Sequence, residues 1–202
     1  MMCYTVDAAS QATGDRKATL GQLFAQHFPP TLAIPRGRTA AHYRKLHAIK
    51  HTEYNLTDTP DFDISPDGKP YLKSHPEIYF NISHCSKAVM CIFDSSPVGI
   101  DVETVRRVPA SMLAKICSPG ELNTIRSSDA PEADFCRIWT YKEAVSKLSG
   151  DGVFKSLHKS PAESLFSHQD TLLPDVYFTV ASDSKINLTA IELKLGDLEL
   201  FG

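Results

Sequence analysis

The side chains with the most chemistry in them fall in Val98-Gly99-Ile100-Asp101-Val102-Glu103. With the period of two that a strand imposes, Val98, Ile100 and Val102 share a face to be buried, and Gly99, Asp101 and Glu103 share the other. Two carboxylates side by side repel unless one is protonated or a cation lies between them. Gly99 carries no side chain, so a bulky or polar group can approach the backbone there. Hard oxygen donors at this spacing suit Mg²⁺, which takes one or two carboxylates and leaves its other positions to water and phosphate. On the hexapeptide alone, an edge strand with a solvated acidic face remains the alternative.

A second loaded stretch is Trp139-Thr140-Tyr141-Lys142-Glu143-Ala144-Val145-Ser146-Lys147. On a helix Glu143 and Lys147 stand one turn apart, with Trp139 one turn before Glu143. As a plain surface pair, Glu143 and Lys147 would contribute only roughly a few tenths of a kcal/mol. Lys142 projects toward the edge of the apolar face, as a snorkelling lysine does. Other polar groups gather in the first half. Asp67-Gly68-Lys69-Pro70 is a turn signal that presents Lys69, and Ile78 to His84 reads as a buried strand ending in Asn81, Ser83 and His84. Those three offer donors to phosphate or ribose oxygens, or simply satisfy a loop. Arg36 to Lys50 holds Arg36, Arg38, Arg44, Lys45 and Lys50 with no acid among them, which suits a phosphate or a solvated helix face.

The elements that must position these groups follow from periodicity. Arg16–Phe28 and Thr39–Thr52 read as helices, the first stopped by Pro29-Pro30. Val89–Phe93 is apolar, and Asp94-Ser95-Ser96-Pro97 is expected to fold it back on the acidic strand as a hairpin. Ser118-Pro119-Gly120-Glu121 is a capping box with proline at the first helical position. The helix expected over Pro131–Leu148 buries Phe135, Ile138, Tyr141, Val145 and Leu148, and Gly150-Asp151-Gly152 ends it. Val176–Val180, Ile186–Leu195 and Leu198–Phe201 read as strands. The start, residues 1–13, is read as strand-like or poorly ordered. A βααβ arrangement in each half accommodates this order.

Composition bounds the reading. The 202 residues allow one large domain or two small halves, and 42% hydrophobic with 22% charged content is ordinary for a globular protein. A net charge of −3, its acidic excess lying after residue 97, does not attract nucleic acid. No run approaches the roughly 18 apolar residues of a membrane span, and no signal-peptide core is evident. Five cysteines without a CxxC pair argue for free thiols in a reducing cytoplasm and against a zinc site.

Taken in order, Gly68-Lys69-Pro70, Asn81-Ile82-Ser83-His84, Val98 to Glu103 and Trp139 to Lys147 resemble the 4′-phosphopantetheinyl transferase superfamily. Within it the resemblance is to the long, monomeric, surfactin-synthetase-activating type, over about residues 36–155. It implies an α+β fold, a pseudo-dimer of two similar halves, residues 1–97 and 98–202, with the active site in the cleft between them. The first lobe would take the nucleotide end of coenzyme A, and the second would carry the metal site and catalytic helix. The implied reaction moves phosphopantetheine from coenzyme A to a serine of an acyl or peptidyl carrier protein and releases adenosine 3′,5′-bisphosphate. Carried over, Asp101, Glu103 and Glu143 hold Mg²⁺, and Glu143 takes the serine proton. Lys147, Lys69, Pro70, Asn81, Ser83 and His84 bind the coenzyme, and Arg38, with Arg36 in reserve, meets its 3′-phosphate.

Two rivals stay open at this point. One is a non-catalytic module of the same fold that binds coenzyme A or a carrier protein; the other is an unrelated Mg²⁺-dependent phosphohydrolase. For carrier docking, Arg106, Arg107, Met112 and Lys115 are candidates, with an ordinary exposed helix as the alternative.

Overall fold

The computed structural model describes residues 2–7, 62–66, 68–150, 152 and 165–192. The expected helices at 16–28 and 39–52, the basic block with Arg36 and Arg38, and the strand at 198–201 lie outside the described residues. In chain order the strands are β1 (Met2–Asp7), β2 (Phe62–Ile64), β3 (Pro70–Leu72), β4 (Tyr79–His84), β5 (Ala88–Asp94) and β6 (Val98–Thr104). Three helices follow, α1 (Ala110–Ile116), α2 (Pro119–Arg126) and α3 (Pro131–Ser149), and then β7 (Phe166–Leu173), β8 (Val176–Ser182) and β9 (Thr189–Glu192). The protein is thus of mixed α and β structure. Among the described residues three helices stand between β6 and β7 where two were expected, because the Ser118 cap restarts the chain after α1.

The strands form two main sheets, β4-β5-β1-β9 and β6-β8-β7, beside a β2–β3 ribbon. β9 runs parallel to β1, so the chain's last described strand returns to the first sheet. Their inner faces meet in one buried cluster. Ala88, Met90 and Ile92 of β5 pack with Val98, Ile100 and Val102 of β6 and Val176, Phe178 and Val180 of β8. At roughly 1.5–3 kcal/mol for each fully buried large aliphatic side chain, this cluster outweighs any surface ion pair, worth about 0–1 kcal/mol.

The expected hairpin between β5 and β6 does not form. β5 is bonded to β1 and β4, whereas β6 is bonded to β8. The turn Asp94–Pro97 carries the chain from one sheet to the other, so that the apolar faces of β5 and β6 oppose each other. β6 is consequently an edge strand, and its outer N–H groups need partners. Side chains of β4 provide them: Asn81 Oδ1 accepts from the Ile100 N–H at 3.2 Å, and Ser83 Oγ from the Val102 N–H at 3.2 Å.

Local signals hold elsewhere. Gly68 takes φ +81° in the turn before β3, its N–H donating to the Ser65 carbonyl at 2.8 Å. The capping box is formed, with Glu121 N–H on Ser118 Oγ at 3.3 Å and Ser118 N–H on Glu121 Oε2 at 2.6 Å. α3 ends where Gly150 turns left-handed at φ +78°.

The buried face of α3 differs from the expected one. Phe135 is buried, but Tyr141, Val145 and Leu148 are only partly so, and the fully covered positions include Cys136, Thr140 and Ala144. This narrow stripe of small side chains faces the sheet, while Phe135, Ile138 and Trp139 pack beside Ile116 and Ile125 of α1 and α2. The helix is covered on two sides, so a single apolar stripe does not describe it. Small residues allow close approach, and Gly99 makes it closest. A Cβ placed on Gly99 would lie 2.1 Å from the Ala144 carbonyl oxygen and 2.6 Å from the Leu148 nitrogen. Both are backbone atoms and cannot move aside alone. Gly99→Ala is therefore expected to lower stability by about 3 kcal/mol or more, read from urea unfolding; a loss under 1 kcal/mol would contradict the contact.

Candidate active site

The same contact brings the last two turns of α3 over the acidic face of β6. Lys147 Nζ lies 2.6 Å from Asp101 Oδ1, and the Asp101 side chain is only 6% exposed. The Ser83 hydroxyl donates to the same oxygen at 2.7 Å and accepts from Lys147 Nζ at 3.0 Å. With the Val102 N–H as its second donor, Ser83 Oγ is fully used. Asp101 Oδ2 is buried and has no hydrogen-bond partner among the described residues. An unsatisfied buried acceptor costs about 1–3 kcal/mol, and more when charged.

Glu103 and Glu143 border this carboxylate, both half-buried. Burial raises the proton affinity of Glu143, repulsion from Asp101 and Glu103 adds to it, and Lys147 opposes it. Glu103 is raised by burial and then by Asp101, with Arg106, the Trp139 indole N–H and Lys147 acting against the rise. The thiol of Cys136, on the sheet-facing side of α3, is pushed up to about 12, first by burial and then by Glu103 and Asp101. A group held so firmly protonated is no nucleophile. Negative charge thus collects along one edge of β6, and among the described residues a single ammonium, that of Lys147, is bonded into it.

Among the described residues, no three His, Cys, Asp or Glu side chains converge as a metal-binding cluster. The donor chemistry nevertheless fits a hard divalent cation: an unpartnered buried carboxylate oxygen flanked by two glutamates that resist ionisation.

The remaining expected site residues divide. Asn81 and Ser83 are buried, their side-chain oxygens engaged on β6. His84 is exposed at the end of β4. Lys69 directs its amine at the main-chain carbonyls of Val98 and Leu148, each at 3.4 Å, rather than at the carboxylates. Burial lowers its pKa, and Asp183 partly offsets this. Pro70 begins β3, half-buried. Arg38 lies outside the described residues. Of the candidate docking residues, Arg106, Arg107 and Lys115 are exposed, but Met112 packs into the α1–α3 cluster.

Lys142 has a structural role that periodicity did not reveal. Its amine donates to the Ile116 carbonyl at 2.8 Å and to Glu121 Oε2 at 2.7 Å, tying α3 to the α2 cap. Burial alone would push Glu121 up, but the Lys142 and Ser118 bonds prevail and hold it below its ordinary value. Nor did periodicity point to Gln169, whose amide reaches the underside of α3; the one clue was Thr140, a polar residue at a buried helix position.

The raised pKa of Glu143 has a definite sign in stability. The native site binds that proton more tightly than the unfolded chain, so the ionisation penalty is absent below about pH 4. It grows as pH rises from the unfolded value through the raised native one. In EDTA, Glu143→Gln is expected to be more stable than the parent at pH 7.5, by less than about 1 kcal/mol because water screens a half-exposed group. Urea unfolding should show that gain disappear near pH 4; destabilisation at pH 7.5 would contradict the assignment.

Comparison with known proteins agrees with this location. The family model described as the 4′-phosphopantetheinyl transferase superfamily matches residues 97–190, which span β6 through α3 to β8. The chain is 34% identical to 4′-phosphopantetheinyl transferase psf-1 of Bacillus pumilus over 117 residues, 56% of this chain and 50% of that protein. It is 32% identical to 4′-phosphopantetheinyl transferase Sfp of Bacillus subtilis over 112 residues, 54% of this chain and 50% of that one. With 4′-phosphopantetheinyl transferase AcpT of Escherichia coli K12 the identity is 25% over 175 residues, 83% of this chain and 89% of the relative. The chain thus spans about half the length of the two Bacillus relatives it matches. The matched segment is the one that sets Asp101 beneath Lys147, so the similarity to the 4′-phosphopantetheinyl transferase superfamily covers the candidate site itself.

Proposed function

We propose that the protein transfers the 4′-phosphopantetheine group of coenzyme A to a serine of an apo acyl or peptidyl carrier protein, releasing adenosine 3′,5′-bisphosphate. The names of the relatives support the reaction. The observation that carries it here is the Asp101 carboxylate, with Lys147 and Ser83 on one oxygen and no partner on the other. In this reading the residues up to 97 form the lobe for the nucleotide end and those from 98 the catalytic lobe, a pseudo-dimer with the cleft between. The β4 side chains stitched to β6 support a junction at that point.

Asp101, Glu103 and Glu143 would hold Mg²⁺, which, when bound, neutralises charge on the pyrophosphate in flight. Since the three carboxylates do not form a closed cluster by themselves, the ion is read as shared with the coenzyme's phosphates, as Mg²⁺ usually is. Lys147 donates to phosphate oxygens from a site where Asp101 holds its amine. Glu143, its proton affinity raised, is the group suited to accept the serine proton as the oxygen attacks the β-phosphorus. His84, exposed at the strand end, and Lys69-Pro70 on their turn are assigned to the nucleotide end. Asn81 and Ser83 form the floor beneath it, and Arg38 is assigned to the 3′-phosphate. Cys85, Cys117 and Cys136 are free thiols, which suits the reducing cytoplasm, and no described helix is long and apolar enough to cross a membrane. A monomer suffices, because both lobes lie in one chain.

The test is intact mass of an apo carrier incubated with coenzyme A and Mg²⁺. We expect a phosphopantetheine adduct on the carrier, stoichiometric adenosine bisphosphate, loss of both in EDTA, and a drop in kcat of about 100-fold or more for Glu143→Gln. Coenzyme binding without product would indicate a non-catalytic module. Unchanged transfer by Glu143→Gln would remove Glu143 from the mechanism.

A further inference from the structure

Between α3 and its sheet lies a polar ring, its two threonines buried and its glutamine exposed at the sheet's edge, that the reaction as described leaves unassigned. Asp101 on β6, Thr179 on β8 and Gln169 on β7 are successive partners across the sheet and share the face beneath α3. Thr140 of α3 stands over Thr179 with their hydroxyl oxygens 2.9 Å apart, both residues wholly buried. Gln169 reaches in from the outer strand. Its Nε2 lies 2.7 Å from Thr179 Oγ1, 2.9 Å from the Arg137 carbonyl and 3.2 Å from Thr140 Oγ1.

An amide nitrogen can only donate, so Gln169 is the donor in each of its Nε2 contacts. One Nε2 proton goes to the Arg137 carbonyl and the other to Thr179 Oγ1. Thr179 then donates to Thr140, and Thr140 donates to the Arg137 carbonyl at 3.1 Å. The ring closes with no donor left over. Such a network is directional and joins, midway along α3, the Arg137–Tyr177 bond before it and the Lys147–Asp101 bond after it. Cys136, Thr140 and Ala144 are small and offer no large side chain to fix how α3 is rotated about its axis.

We propose that Gln169 is a positioning residue: from β7 its amide sets the seating of α3 over the sheet, and through α3 the reach of Glu143 and Lys147 toward Asp101. Thr140 lies one turn before Glu143 and two before Lys147, so rotation at the ring is carried directly to both. A misplacement of about 1 Å costs up to about 100-fold in rate. The inference rests on the proposed transfer reaction for its catalytic consequence, but not for the seating of the helix.

Trp139 provides a separate readout, since it is the chain's single tryptophan and adjoins Thr140. It stacks on Phe135 at 6.4 Å and faces Glu103. Gln169→Met keeps the length but removes the donors, leaving the Thr140–Thr179 bond intact. Gln169→Glu keeps length and polarity, yet as a carboxylate cannot donate to the Arg137 carbonyl. Both are expected to shift Trp139 emission in the folded protein and to lower kcat about tenfold, with KM for coenzyme A within about twofold. Asp170→Ala, exposed on the same strand, is expected to leave both unchanged. Folded Gln169 variants with parental emission overturn the inference, whatever their rate. Shifted emission with parental kcat overturns its catalytic half. A parent protein that transfers nothing to any carrier overturns the proposed function, while the emission shift still decides whether Gln169 seats α3.

Discussion

Gly99 and the backbone of α3 come closer than any side chain would allow, and the site depends on that contact. A helix held one side chain farther from the sheet would leave Lys147 short of Asp101. The small stripe Cys136–Thr140–Ala144 serves the same end along the helix. Close approach removes water from above Asp101, which strengthens its bond to Lys147 and makes its unpartnered oxygen costly. One backbone constraint therefore sets both the geometry and the dielectric of the site.

The electrostatics follow from this burial. Among the described residues three carboxylates face one intimately bonded ammonium, and the two glutamates adjust by holding protons more tightly. Such an arrangement opposes folding to a modest degree and favours any ligand that brings positive charge. Functional sites commonly carry groups displaced from their ordinary titration in this way. The neighbouring network of Lys142, Glu121 and Ser118 shows the reverse case, in which opposite charge and a helix cap lower a carboxylate's pKa and stabilise a joint between helices.

The junction of the two sheets joins stability to chemistry in a single residue. Ser83 accepts from the backbone of β6, and also donates to Asp101 while accepting from Lys147. An edge strand without such partners would expose its N–H groups. Here the edge is closed by side chains, which leaves the acidic face accessible at its border.

Sequence alone determined the local events, since each rests on neighbours within a few residues. The Gly68 turn, the Ser118–Glu121 capping box, the Gly150 stop and the core face Val98, Ile100 and Val102 of β6 were all legible, as were Asp101 and Glu103 on the other face. The motif order also pointed to the family whose model matches residues 97–190. Only the tertiary structure decided that β5 and β6 enter different sheets, because an apolar strand is equally content against an edge or a face. It alone decided that α3 turns its small residues to the sheet, that Lys142 ties α3 to the α2 cap, and that Gln169 reaches beneath the helix. Those contacts join positions some 20 to 80 residues apart along the chain, and no local period or propensity encodes which of many polar side chains will meet across such a distance.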